Sequence, residues 1–354
     1  MSSPPDADRA ESPRGGSAMA AARRWLATPE FSVLLVLAAL LVFLAARGRL
    51  DDFTGEANRD SLARSVGLQS VFSIGELLVI LTGGIDLSIG SMIAFGGMLL
   101  AAVGTRALDS GMPVELSTAL AMAAVLAFSA GLGAVHASLV HRMKLPPFVV
   151  TLASMSILRS AAQLLNNAVP IPIERFPLIN YLGNGKLFIA GTSIGLPVST
   201  IILAVIATLV LILLTRTSLG RHVYAVGSNE AATGLSGVNV YRVKLFVYIG
   251  CSLLAGLASI LYAGYGGQGD PSSGNMFELN AISAAVIGGA VLTGGRGSVV
   301  GTVLGALLLE WILSIINLTM DKPTLWRGTV VGSVLLTAVV INQIRLFLSA
   351  RKRS

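Results

Sequence analysis

Three carboxylates stand in or beside the long apolar stretches of this sequence. Asp86 lies in "ILTGGIDLSIGS", residues 80–91, while Glu76 and Glu310 belong to other apolar runs. A charge near the middle of a bilayer costs several kcal/mol unless it is paired or hydrated. Carboxylates in such places are therefore expected to cap a helix, to line a transport path, or to hold an ion.

The composition predicts an all-α integral membrane protein. Of the 354 residues, 54% are hydrophobic and only 12% are charged, and the mean hydropathy is +0.78. A helix needs about 20 apolar residues to cross a bilayer. The eighth of the predicted spans is short enough to be a half-helix or a tilted segment. About ten spans are predicted, at 29–46, 66–82, 88–104, 118–140, 148–165, 197–215, 245–263, 279–292, 299–317 and 327–345.

The distribution of lysine and arginine predicts the orientation. An even number of spans puts both chain ends on one side of the membrane, and most of the basic residues lie on that side. Because basic loops are retained in the cytoplasm, both termini are expected there. The predicted organisation is a disordered tail over 1–28, a transmembrane domain over 29–345, and a basic tail over 346–354.

Three polar segments are too long to be tight turns. Residues 166–196, which contain three prolines, and residues 264–278, which are rich in turn formers, are predicted to fold over the external face. Residues 216–244 carry arginine and lysine near both ends and are predicted to lie on the cytoplasmic side.

The cytoplasmic segment contains the signals of a short helix. Ser228 or Asn229 can cap it, and Glu230 follows at the positive end of the helix dipole. Gly234 or Gly237 can end it after about two turns. Such a helix is too short to be stable alone in water. We expect it either to dock into a groove of a partner protein or to lie on the membrane surface as a connector.

Motifs for nucleotide, metal and redox chemistry do not stand out. A phosphate-binding P-loop ends in Gly-Lys-Ser/Thr, but here Gly185 and Lys186 are followed by Leu187. The single cysteine, Cys251, excludes an internal disulfide, and the three histidines are too scattered to suggest a metal site. The net charge of +7 comes mostly from loops and tails and gives no reason to expect nucleic acid.

Three motifs together resemble the permease subunits of ribose-, xylose- and galactose-type ABC importers. They are "ILTGGIDLSIGS" (80–91), "YAVGSNEAATGLSGVNVYRVK" (224–244) and "ELNAISAAVIGGAVLTGGRGSVVGT" (278–302), and the resemblance extends over about 65–345. It implies a ten-helix, vitamin-B12-importer-type (type II) fold in a bacterial inner membrane. It also implies three kinds of partner: a second permease copy or paralogue, cytoplasmic ATPase subunits holding ATP and Mg, and a periplasmic or lipid-anchored sugar-binding protein.

The same resemblance implies a role for the short cytoplasmic helix. Asn229, Glu230, Ala231, Ala232 and Gly237 fall in the coupling-loop pattern of that family, which carries the contact with the ATPase. The chain would then be a transport subunit with no catalytic, cofactor or metal residues of its own. Its expected cargo is a monosaccharide or a related small polyol-like solute.

The sequence leaves three interpretations of Asp86 open. It is surrounded by Gly83, Gly84 and Gly90, with Ser88 close by, a composition that allows a broken helix or a tight turn near the cytoplasmic face. Asp86 can cap the helix that begins near Ser88, line the translocation path or its gate, or take part in ion coupling.

Two further possibilities remain open. Glu76 and Glu310 can bond a neighbouring helix or face the pathway, and with Asp86 they are the candidate ion site of a stand-alone secondary transporter, the main alternative function beside a passive channel. The segments 81–91 and 292–302 share Leu-Thr-Gly-Gly and a later glycine followed by a hydroxyl residue, which raises the possibility of structurally equivalent turns.

Overall fold

The computed structural model describes residues 29–188 and 195–351, with side chains described as far as residue 340. These residues form fourteen α-helices and four short β-strands. The helices are α1 (Pro29–Ala46), α2 (Leu50–Thr54), α3 (Glu56–Leu81), α4 (Ile89–Asp109), α5 (Val114–His141), α6 (Pro147–Leu164), α7 (Pro177–Asn184), α8 (Val198–Arg216), α9 (Ser218–Ser228), α10 (Glu230–Leu235), α11 (Val240–Gly266), α12 (Phe277–Ile287), α13 (Val299–Thr319) and α14 (Pro323–Arg351). The strands are β1 (Ile171–Pro172), β2 (Lys186–Phe188), β3 (Gly195–Pro197) and β4 (Gln268–Gly269).

Eight of the described helices are long and apolar enough to cross a membrane: α3, α4, α5, α6, α8, α11, α13 and α14. Two shorter apolar helices, α1 and α12, accompany them. Each predicted span overlaps one of these ten helices. The eighth span proves to be an 11-residue helix, α12, which ends at Ile287, five residues before the predicted boundary. An almost wholly helical chain satisfies its backbone groups internally, as lipid requires.

The core is built around α3 and α11. Every residue of α3 from 67 to 81 is buried, and α11 packs against α3, α4 and α5. Small residues allow these close approaches. A Cβ atom added to Gly133 of α5 would lie 2.6 Å from Cα of Ile249 in α11, so only glycine fits there. By contrast, few residues of α6, α8 and α14 are buried, and each of these helices has exposed apolar side chains.

The helix α3 begins ten residues before the predicted span over 66–82. Its first turns are polar and lie outside the predicted span, but they are held by contacts across the bundle. Arg64 Nη1 donates a hydrogen bond of 2.7 Å to Oδ1 of Asn184, and Lys186 forms an ion pair with Asp60. Tertiary contacts therefore extend the helix beyond its apolar part.

The prolines of residues 166–188 and 195–197 break this segment into short elements at one end of the bundle. The segment contributes α7, the antiparallel β2–β3 pair, and β1, which pairs with β4. Asn184 Nδ2 donates a hydrogen bond of 2.8 Å to the carbonyl of Gly264, so α7 is tied to the end of α11. We call this end of the bundle the hairpin face.

The opposite end carries α9 and α10, and we call it the α9–α10 face. The start of α1 also lies here, because Ser298 Oγ, next to the start of α13, donates a hydrogen bond of 2.8 Å to Glu30. The sequence signals indicated α10 but not α9. Two glycines obscured α9, which is stabilised by a Thr217 cap and by burial of Val223 and Val226.

Tails were predicted at both ends of the chain, and the structure describes only part of the second one. The expected disordered tail over 1–28 lies outside the described residues. At the other end, α14 continues to Arg351, six residues past the predicted boundary at 345, because no proline or glycine interrupts it there. Residues 352–354 lie outside the described part of the chain.

Candidate functional site

Asp86, Glu76 and His136 form a buried polar cluster, although they come from different parts of the chain. Glu76 and His136 are 0% exposed and Asp86 is 1% exposed. The backbone N–H of Asp86 donates a hydrogen bond of 3.2 Å to Glu76 Oε1, and Asp86 Oδ2 lies 3.7 Å from His136 Nδ1. His136 Nε2 lies 2.8 Å from Ser154 Oγ. The cluster therefore joins α3, α5 and α6 to the turn before α4.

Asp86 also shapes the start of α4. Its Oδ1 accepts hydrogen bonds from the backbone N–H of Ser88 at 2.8 Å and from the Ser88 hydroxyl at 2.6 Å. Ser88 is the N-cap residue of α4, so Asp86 holds the residue at the cap instead of an N–H group within the first turn. Asp86 thus fixes the start of α4 through Ser88, whereas the capping interpretation had it bond the free N–H groups of the helix. Gly90 follows in the first turn of the helix.

The helix α11 completes the cluster with two side chains. Cys251 Sγ lies 3.8 Å from Asp86 Oδ2, and the Tyr248 ring stands edge-on to His136 with 6.2 Å between ring centroids. A Cβ atom on Gly84 would lie only 2.7 Å from the Tyr248 hydroxyl oxygen. The single cysteine of the chain therefore contacts the buried carboxylate.

The two Leu-Thr-Gly-Gly segments, residues 81–84 and 292–295, lie side by side at the α9–α10 face. The backbone N–H of Gly295 donates a hydrogen bond of 2.9 Å to the carbonyl oxygen of Leu81. We call these segments the paired turns. One follows α3 and leads into α4, whereas the other follows α12 and leads into α13.

The paired turns share a backbone feature. The first glycine of each, Gly83 and Gly294, has a left-handed φ, +77° and +91°. Such angles disfavour any residue with a Cβ atom. The turns also contact each other here, since a Cβ on Gly83 would lie 3.3 Å from the Thr293 carbonyl oxygen. They differ at the second glycine, because Gly295 is left-handed too and Gly84 is not.

Helix α9 packs directly on the paired turns. A Cβ atom on Gly227 would overlap the Leu81 carbonyl oxygen and lie 2.5 Å from the Gly295 nitrogen. Tyr224 adds a second link, since its hydroxyl donates a hydrogen bond of 3.0 Å to the carbonyl of Gly297. Backbone meets backbone at this junction, so α9 cannot shift far without moving the turns.

Helix α10 is a short capped helix at the surface. Asn229 Oδ1 accepts a hydrogen bond of 2.9 Å from the N–H of Ala232, which selects Asn229 over Ser228 as the capping residue. Glu230 does more than place a negative charge at the positive end of the helix dipole. Its carboxylate accepts a hydrogen bond of 2.8 Å from Lys244 Nζ and lies 3.8 Å from His141 Nδ1. The helix is therefore tied to the ends of α5 and α11.

The outer side of α10 is open. Ala231 and Ala232 are exposed, and Leu235 is 91% exposed. The helix ends as the left-handed Gly237, with φ +84°, turns the chain back toward α11. A Cβ atom on Gly237 would find no atom within 4 Å, so the backbone angle alone selects glycine.

Residues 58–339 of the chain match the family described as "Branched-chain amino acid transport system / permease component". The chain belongs to this permease family. The ribose import permease protein RbsC of Escherichia coli K12 is 34% identical over 310 residues, which cover 86% of this chain and 92% of that protein. The RbsC protein of Bacillus subtilis is 33% identical over 286 residues, covering 80% and 84%.

A third relative extends the comparison. The xylose transport system permease protein XylH of Haemophilus influenzae is 29% identical over 373 residues, covering 90% of this permease and 97% of that protein. No solved structure matches the chain. The resemblance drawn from the three motifs is therefore confirmed, and the relatives are named as transport subunits instead of enzymes.

The permease has a cavity of about 480 Å³ at the α9–α10 face. Its wall includes Gly83 and Gly84 of the paired turns, Tyr248 of the buried cluster, and the Glu230–Lys244 ion pair. The ion pair that holds α10, the first of the paired turns and Tyr248 thus border one space.

Glu310 lies apart from the other two carboxylates. It is 8% exposed and faces a second cavity that opens toward the hairpin face, together with Asn280 and Arg327. Glu76 and Asp86 meet in the buried cluster instead. The three carboxylates therefore do not form a single ion site.

Sequence reasoning missed His136, Tyr248 and Gly227. His136 was considered only as a possible metal ligand, and its signal was the same as that of Asp86, an ionisable residue inside an apolar run. Gly227 carried no signal, because its importance comes from backbone contacts between segments far apart in sequence.

Proposed function

We propose that this permease is the membrane-spanning subunit of an ATP-driven importer for a monosaccharide or a related polyol-like solute. The observation that carries the proposal is the junction at Gly227. Here α9, which precedes the exposed α10, packs backbone-to-backbone on the paired turns, and these lead into the long apolar helices α4 and α13. A surface helix with this connection can pass a partner's movement to the membrane domain. The ribose and xylose permeases among the relatives support a sugar as cargo.

The proposed topology has ten helices entering the membrane, in a type II permease fold of the bacterial inner membrane. The α9–α10 face is cytoplasmic and the hairpin face is external. Arg142, Lys144 and Arg242 near the α9–α10 face support this orientation. Because α1 starts at that face and α14 runs back from the hairpin face, both termini are cytoplasmic in this proposal.

The proposed partners follow from the surfaces that the chain leaves open. Two ATPase subunits, which hold ATP and Mg, meet the exposed side of α10 around Asn229–Gly237 in the complex. The exposed apolar side chains of α6 and α14 face lipid or a second permease, either an identical copy or a paralogue. A periplasmic or lipid-anchored sugar-binding protein delivers the solute to the hairpin face. This chain itself supplies no cofactor site in the proposal.

The mechanism has no covalent step. Nucleotide binding in the ATPase moves α10, and α9 follows because Asn229 alone separates the two helices. The junction at Gly227 transmits that motion to the paired turns. The paired turns then move α4 and α13 relative to α3. This movement alternately opens the two sides of the solute path. The buried Glu76–Asp86–His136 cluster holds α3, α5 and α6 together during this motion.

Reconstitution tests the proposal against an ion-coupled transporter. Proteoliposomes should accumulate sugar only when they contain this permease with its genomically adjacent ATPase, internal ATP and external binding protein. The probes are D-ribose, D-xylose, D-galactose and xylitol. The control is the permease alone under a proton or sodium gradient. Uphill uptake by the permease alone would overturn the importer-subunit function in favour of a secondary transporter.

A further inference from the structure

We propose that the cavity between α3, α11, α12 and α13, which opens toward the hairpin face, binds the transported solute directly as a neutral polyhydroxylated molecule. The inference rests on the proposed function and adds a binding site to it. The cavity holds about 300 Å³, near the lower end of the range for small-molecule sites. That space suits one monosaccharide together with a few water molecules.

The cavity follows one face of α3 from the surface to the core. Ser61 is exposed at the mouth, Ser65 is half-buried, and Gln69 is 1% exposed at the base. Their spacing of four residues places them above one another on the helix. All three line the cavity, so α3 offers a polar track into a mainly apolar bundle.

Gln69 is the residue that points to a ligand. Its Nε2 atom is buried and has no hydrogen-bond partner among the described residues. A buried amide donor without a partner is destabilising, and native proteins rarely retain one without a reason. Rotation of the Gln69 side chain toward the cavity it lines would let a solute hydroxyl at the base accept this hydrogen bond and remove the cost.

The remaining walls match the two surfaces of a sugar. Asn280 and the Asn58–Ser314 pair, joined by a hydrogen bond of 2.9 Å from the Ser314 hydroxyl, bring amide and hydroxyl groups to one side. The rings of Tyr262 and Phe277, with centroids 4.9 Å apart, form an apolar wall. A sugar ring combines hydroxyl groups with C–H faces, so it can use both kinds of wall.

The charges of the cavity favour an uncharged solute. Glu310 and Arg327 both line it, so one negative and one positive side chain face the same space. Their formal charges cancel. Arg327 can still donate a hydrogen bond to a hydroxyl oxygen, and the Glu310 carboxylate can accept one from a hydroxyl group. An anionic or cationic cargo would meet one like charge in a partly buried site.

An aromatic pair lies next to the inner end of the cavity, which one of its members, Phe277, lines. Phe72, one turn beyond Gln69 on α3, stacks on Phe277 with 5.4 Å between centroids and an angle of 7° between the rings. Beyond this pair the same face of α3 continues to Glu76 in the buried cluster. The solute would therefore rest above the aromatic pair until the helices move.

Cysteine labelling tests the site without the binding protein. Ser61→Cys places a thiol at the mouth, while the native Cys251 is fully buried and gives the unlabelled background. In the purified permease–ATPase complex, the sugar that supports uptake should slow maleimide labelling of Ser61→Cys several-fold. Glycine betaine at the same concentration should not slow it. Adding Gln69→Leu should abolish the protection, whereas Ser70→Ala, a buried control that does not line the cavity, should preserve it.

The outcomes separate this site from the proposed function. If the complex takes up a probe sugar but that sugar never protects Ser61→Cys, the cavity proposal fails and the importer function stands. If no probe is taken up in the presence of ATP and binding protein, the proposed function fails first. Should Gln69→Leu not assemble, Asn280→Ala decides instead. Unchanged protection in the variant that assembles would overturn the proposal.

Discussion

The backbone N–H of Gly295 donates a 2.9 Å hydrogen bond to the carbonyl of Leu81, joining two turns that carry the same Leu-Thr-Gly-Gly sequence. Leu81 is the last residue of α3, so this bond replaces a partner that the helix end would otherwise lack. Gly227 of α9 occupies the remaining space beside both atoms. Three segments separated by more than 60 residues each thus meet through their backbones.

Gly227→Ala should disturb this junction more than any ordinary glycine substitution in a helix. The added Cβ would overlap the Leu81 carbonyl, and overpacking of this kind typically costs about 1–3 kcal/mol. We expect a lower thermal unfolding temperature in detergent and weaker sugar-stimulated ATP turnover. The matched control is Gly131→Ala in α5, where a Cβ meets nothing within 4 Å. Equal behaviour of the two variants would show that the junction tolerates movement.

Substitutions of Asp86 should separate its hydrogen bonding from its charge. Asp86→Asn keeps an oxygen that can accept from both Ser88 donors, so we expect this variant to assemble and to retain part of its transport. Asp86→Leu leaves the N–H and the hydroxyl of Ser88 without their acceptor in a buried site, and it removes the carboxylate 3.7 Å from His136. Losing a buried partner costs about 1–3 kcal/mol per stranded group, so this variant should lose expression or assembly. Membrane yield and gel-filtration profile measure both effects, and equal tolerance of the two would contradict the assigned role.

The sequence predicted the helices well, because apolar runs specify spans almost independently of context. It also located α10, whose cap Asn229 and terminator Gly237 act within a few residues. It did not reveal the Asp86–His136 contact, which joins residues 50 positions apart. Nor did it indicate that the paired turns touch. Caps and turns are determined by residues that are close together in the sequence and can therefore be predicted from it. The buried cluster instead depends on how α3, α5 and α11 pack.

The orientation proposed for the two faces can be tested with reporter fusions. A fusion after residue 185 lies at the hairpin face and should report an external position. A fusion after residue 230 lies at the α9–α10 face and should report a cytoplasmic one. The physical reason is the concentration of basic residues near the α9–α10 face. Reversed signals would invert the topology and place α10 out of reach of any cytoplasmic ATPase.

The effect of a substitution at Gly237 should depend on how readily the new residue adopts a left-handed backbone angle, and not only on the size of its side chain. Its φ of +84° strains most residues by about 1–2 kcal/mol, while asparagine adopts left-handed angles more readily. We expect Gly237→Trp to insert normally in the membrane but to lose ATPase attachment or stimulated turnover. Gly237→Asn should retain much of both, because no atom lies within 4 Å of its Cβ. Full coupling in the tryptophan variant would mean that the end of α10 needs no fixed geometry.

The Glu230–Lys244 ion pair offers the sharpest test of whether the position of α10 matters. Glu230 is 47% exposed, and pairs of this kind contribute roughly 0–1 kcal/mol, so their loss should not unfold the permease. Glu230→Lys places a cation against Lys244 and beside His141, which should push α10 away from α11. We expect normal membrane insertion, reduced co-purification of the ATPase and reduced sugar-stimulated turnover. Combining Glu230→Lys with Lys244→Glu restores an opposite-charge pair, and partial recovery of turnover is the predicted result. If the double variant stays as defective as the single one, Glu230 acts by touching the ATPase itself. If the single variant couples fully, α10 is not the element through which the ATPase moves this permease.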